Sequence, residues 1–130
     1  MKKIVFLLIA VTCLSCISDD DISIGVNLRV TNLSDFELED LTVYTSMFET
    51  DDFLSIESLL PGESSNYTYF EEILPQQGVK ASVNGETLIR IALISDTDVP
   101  LIKGKFSCLI DVVENNNQQN TLLVTLIKHN

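Results

Sequence analysis

Val79-Lys80-Ala81-Ser82-Val83-Asn84-Gly85-Glu86-Thr87-Leu88-Ile89-Arg90 decides the fold. Val79, Ala81 and Val83 alternate with polar residues, the period of a strand that buries one face. Asn84-Gly85 accepts two successive positive φ angles, so it closes a two-residue hairpin. The return limb reads as Thr87 to Ser95, with Ile89, Ile91 and Leu93 on one side and Leu88, Ala92 and Ile94 on the other. Arg90 shares that second side, so burial on both faces is incomplete. An isolated hairpin is marginal in water, so this one needs further strands to cover it.

They are found in both directions. Upstream, Ile22, Ile24, Val26, Leu28 and Val30 form an apolar stripe, with Ser23, Gly25, Asn27 and Arg29 facing the other way. Thr31 to Asp35 reads as a turn, and Leu41 to Thr45 as a strand with Leu41 and Val43 inward. Phe53 to Leu59 is either a short strand or an irregular return, and Pro61-Gly62-Glu63 is a turn. Asn66 to Phe70 is aromatic and extended, with Tyr67 and Tyr69 on one face and Thr68 and Phe70 on the other. Downstream, Asp96 to Pro100 is a loop, and Lys105 to Val113 carries Phe106, Cys108, Ile110 and Val112 in register. Glu114 to Asn120 is a polar loop. Thr121 to Ile127 is almost continuously apolar and is expected at the centre of a sheet. Helical periodicity is nearly absent. About seven strands over residues 22–130 predict one all-β domain, a single antiparallel β-sandwich, with a small antiparallel barrel as the alternative.

Asn32-Leu33-Ser34 and Leu59-Leu60-Pro61-Gly62-Glu63-Ser64, followed by the aromatic strand, resemble the turn grammar of immunoglobulin-like adhesion-type modules. The resemblance implies an immunoglobulin-like or related sandwich and no particular ligand. The chain has no Trp, so the Cys–Trp–Cys hallmark of true immunoglobulin domains is missing.

The amino terminus has a different character. Lys2 and Lys3 precede the apolar run Ile4 to Val11, which is shorter than the roughly 20 residues that span a bilayer and has the form of a secretory signal. Leu14-Ser15-Cys16 resembles the lipobox of bacterial lipoproteins, with Cys13 standing where Leu is usual. That resemblance implies cleavage of residues 1–15 and lipidation of Cys16, leaving residues 16–21 as a short acidic spacer. Ser18-Asp19-Asp20-Asp21 resembles the export signal of Bacteroidetes surface lipoproteins. The implied location is the bacterial outer membrane, lipid-anchored and facing the cell exterior, with the periplasmic face as the alternative.

The full chain of 130 residues carries 8 Lys and Arg against 19 Asp and Glu, a net charge of -11. Loss of Lys2 and Lys3 with the signal leaves six cations against nineteen acids, or -13. Such a charge opposes nucleic-acid binding. With Cys13 removed and Cys16 acylated, Cys108 is alone and no intramolecular disulfide can form. Stability then has to come from the core.

Residues that carry chemistry are few. His129, the only imidazole, lies one residue from the end, where chains fray. Cys108 within an apolar stripe reads as a buried, inert thiol. Asp96 and Asp98 are the calcium candidates, as oxygen ligands on a loop between strands. Tyr44, Phe48, Phe53, Tyr67 and Tyr69 are the binding candidates, because partly buried rings anchor interfaces. No cofactor motif is present. The function expected is non-enzymatic: a lipid-anchored envelope protein presenting its sandwich to a protein or glycan. A periplasmic inhibitor or chaperone-like accessory lipoprotein is the alternative, and a small carboxylate-based hydrolase stands last. An open sandwich also leaves edge strands through which a homodimer can pair.

Overall fold

Asn84 and Gly85, at φ 51° and 80°, close the hairpin between β5 (Gly78–Val83) and β6 (Glu86–Arg90). The computed structural model describes residues 24–46, 52–93, 95 and 97–130, so the signal, Cys16 and the spacer lie outside the described residues. Within that range β6 stops at Arg90, short of the expected Ser95. Its partner begins at Gly78 and Val79↔Arg90 is the final pair, so the strand runs out of hydrogen-bonding edge.

The remaining strands are β1 (Gly25–Asn32), β2 (Leu38–Tyr44), β3 (Phe53–Leu59), β4 (Thr68–Phe70), β7 (Lys103–Glu114) and β8 (Asn120–His129). There are thus eight among the described residues, one more than expected, because the ambiguous segment at Phe53 is a strand. They form two four-stranded sheets, β4-β1-β7-β8 (sheet A) and β3-β2-β5-β6 (sheet B). Every pairing is antiparallel except β1 with β7. The predicted sandwich is therefore present, with β1 and β2 in opposite sheets, whereas the first two strands of a constant immunoglobulin domain share one.

The inner faces meet over one core. Val26, Leu28 and Val30 of β1, Phe106, Cys108 and Ile110 of β7, and Leu122 of β8 face Leu41 and Val43 of β2, Val79, Ala81 and Val83 of β5, and Leu88 of β6. Burying each aliphatic side chain of this kind stabilises the fold by roughly 1.5–3 kcal/mol. Leu38 and Leu41 are both buried although they stand three residues apart, which strict alternation forbids. A register shift between Glu39 and Thr42 resolves this: a bulge at Asp40, with φ 47°, inserts one residue against β5.

Two expectations are corrected. Thr121–Ile127 is not central, since β8 is the outer strand of sheet A, and its outward Leu123 and Ile127 are exposed. The sequence reads as continuous because those exposed residues happen to be apolar. Ile24 does not extend the buried stripe but lies just before β1, 74% exposed. The stripe instead ends in Asn32, fully buried at the top of β1.

Burial pushes the Cys108 thiol up to about 12. At pH 8 only about one thiol in ten thousand is then ionised in the native state. A thiol-specific disulfide reagent should leave Cys108 unmodified in the folded protein and react stoichiometrically after denaturation. Rapid native labelling would show that the β1–β7 core opens.

Candidate functional site

The binding candidates separate onto opposite sides of the molecule. Alternation against the buried residues sends Tyr44 and Phe53 to the outer face of sheet B, where their ring centroids lie 6.4 Å apart at 52°. Tyr67 and Tyr69 project from the outer face of sheet A. Phe48 lies outside the described residues. So does Asp96; Asp98 accepts a 2.8 Å hydrogen bond from the Ser95 amide, which makes it a turn residue. Among the described residues, no group of three or more His, Cys, Asp or Glu is assembled to hold a metal.

Sheet A gathers more than its tyrosines. The segment before β4 follows β1, held by the Ser65 amide donating to the Val30 carbonyl at 2.8 Å and by the Val30 amide donating to Ser65 Oγ at 2.9 Å. This brings Tyr67 over β1, where the Arg29 guanidinium stands 5.1 Å from the ring centroid. Lys105 of β7 places its Nζ 5.5 Å from the same centroid. The negative face of an aromatic ring attracts both cations. Arg29 Nε also donates to Ser107 Oγ at 3.0 Å, and Ser107 Oγ lies 2.6 Å from His129 Nε2.

Register explains the convergence. Asn27 of β1 pairs with Tyr69 on one side and Lys105 on the other, and Lys105 pairs with His129. Tyr69, Asn27, Lys105 and His129 thus form one row across four strands. Arg29, Ser107 and Ile127 form the next. His129, expected to fray, is instead the last paired residue of β8 and is tied down by Ser107. The sequence conceals this cluster because its members come from residues 27 to 129, and only the pairing order unites them.

Tyr69 has its own support. Gly25 has φ 113°, and a Cβ built there would fall 2.2 Å from Tyr69 Cε2 and 2.6 Å from its hydroxyl. The phenol end of the ring therefore rests on the Gly25 backbone, while the side chain as a whole is 58% exposed. The result is an exposed ring braced from beneath.

Ser107 beside His129 superficially suggests a nucleophile and its base, but Ser107 is 1% exposed and its oxygen already accepts from Arg29. A substrate carbonyl has no approach to it. Exposed phenol rings and the remaining guanidinium N–H groups are suited to stacking and hydrogen bonding instead.

No protein-family model matches the chain, and no curated protein matches it. It is similar to a protein from Eubacterium rectale whose structure was determined by NMR. The identity is 11% over 77% of this chain and 87% of that one, with a TM-score of 0.52. At that identity the likeness shows a shared β-sandwich fold.

Proposed function

We propose that this is a non-enzymatic, lipid-anchored envelope protein that binds a glycan or protein through the outer face of sheet A. The observation that carries the reading is the braced, exposed Tyr69 beside the Tyr67–Arg29–Lys105 stack. The anchor rests on the lipobox-like Leu14-Ser15-Cys16. From Cys16 to Gly25 is nine residues, which reach at most about 30 Å, so the binding face works close to the membrane.

The test is binding of the full chain, in detergent, to glycan and protein arrays. Tyr67→Ala/Tyr69→Ala should lose at least tenfold in affinity for the ligand found while keeping the wild-type circular dichroism spectrum. Unchanged binding would remove this face from the account. A second reading, an accessory lipoprotein docking one protein, draws on exposed Ile89 on the β6 edge with Ile91 and Leu93 just beyond it. It expects protein ligands whose binding survives the double substitution.

A further inference from the structure

We infer that the ligand of this face is a carboxylated glycan, a polymer bearing uronate groups; the inference rests on the proposed binding role of sheet A. The first argument is charge. The chain is strongly acidic, yet the outward positions of β1, β7 and β8 include a single carboxylate, Asp111. Asp111 lies four residues up β7 from Ser107, roughly 13 Å away. Arg29, Lys103 and Lys105, three of the six cations downstream of Cys16, stand on this face with His129 beside them. Arg29 and Lys105 direct their charge at a ring and a hydroxyl, not at a carboxylate. Asp52, Glu71 and Glu72 stand with Tyr69 at the β4 side and bound the patch there. The net charge repels anions from the molecule as a whole, as it does nucleic acid, so an anionic ligand is held locally, by short-range contacts to this small positive island.

The second argument separates a glycan from an acidic peptide. β1 is paired on both sides, with β4 and β7, so its main-chain groups are committed within the sheet. β4, which carries Tyr69, is an edge strand but only three residues long, so an extended peptide finds little backbone ladder beside the rings. The face offers instead two phenol rings two residues apart along the chain, at a strand spacing of roughly 7 Å. Neutral hydrogen-bonding groups, Asn27 and Thr31, stand beside them on β1. The apolar face of a pyranose stacks on such a ring, its hydroxyls meet amide and hydroxyl side chains, and a uronate carboxylate accepts from the two terminal guanidinium nitrogens of Arg29.

The experiment is isothermal titration of the full chain in detergent with three uronate hexasaccharides, of galacturonate, glucuronate and mannuronate. The fully methyl-esterified galacturonate hexamer and hexaglutamate serve as comparisons. At least one uronate should bind, the ester should bind at least tenfold more weakly, and added salt should weaken the uronate. Arg29→Gln and Tyr69→Ala should each cost tenfold or more, and Lys80→Gln, on the opposite sheet, should cost nothing. Failure of all three uronates overturns the inference, as does equal binding of the ester. Tighter binding of hexaglutamate also overturns it and turns the face toward acidic peptides. If the uronates fail while array ligands still depend on Tyr67 and Tyr69, only the glycan chemistry falls and the binding face stands.

Discussion

Replacing Asn32 by Leu is expected to destabilise the domain by about 4 kcal/mol, although leucine is similar in size and more apolar. Asn32 closes the inner stripe of β1 at a fully buried position. Its Nδ2 donates to the Phe36 carbonyl at 2.7 Å and to the Leu59 carbonyl at 3.0 Å. Its Oδ1 accepts from the Ser34 amide at 2.9 Å and the Ser34 hydroxyl at 2.6 Å. One side chain therefore satisfies the turn between β1 and β2 and joins it to the end of β3 across the sandwich. Leucine removes all four bonds, taking the buried side-chain partner from the Ser34 amide and the Leu59 carbonyl, while the Phe36 carbonyl keeps the Ser34 hydroxyl at 3.1 Å. Each buried group left unpaired costs roughly 1–3 kcal/mol. Guanidinium unfolding of wild type and Asn32→Leu measures the difference. A loss below about 1 kcal/mol would mean that the turn relaxes to reach solvent.

Gly25→Ala should have two separable effects. Residue 25 sits at φ 113°, where an L side chain is strained by roughly 1–3 kcal/mol, so stability should fall by about 2 kcal/mol. The new methyl also occupies the place of the Tyr69 phenol, which must swing off the β1 backbone. Tyr69 is exposed, so that displacement adds little to unfolding but destroys the braced ring. Ligand binding should then fall as far as in Tyr69→Ala. The double variant Gly25→Ala/Tyr69→Ala should lose no further affinity, since both changes remove one ring. Full affinity in Gly25→Ala would show that the brace is irrelevant to binding.

The parts of the fold that the sequence made legible are those set by local chemistry. Asn84-Gly85 demanded a turn with positive φ, and the alternation around Val79–Val83, Leu28 and Cys108 gave the inner faces directly. What stayed hidden depends on partners distant in sequence. Nothing within Gly25–Asn32 or Lys103–Glu114 states that these strands lie parallel, yet that pairing puts Arg29 beside Ser107. Asn32 reads as a turn residue because asparagine usually is one; its burial follows from Leu59 and Phe36 arriving from elsewhere. The candidate site was half visible: Tyr67 and Tyr69 stand out as aromatic, whereas Arg29, Lys105 and His129 are unremarkable until four strands align.

The most direct test of a binding face on sheet A is amide chemical-shift mapping of the ¹⁵N-labelled chain with its tightest array ligand. The account predicts that the largest shifts cluster at Asn27, Arg29, Tyr69, Lys105 and His129. Shifts concentrated instead at Thr42, Tyr44, Lys80 and Ile89, on the outer face of sheet B, would contradict it.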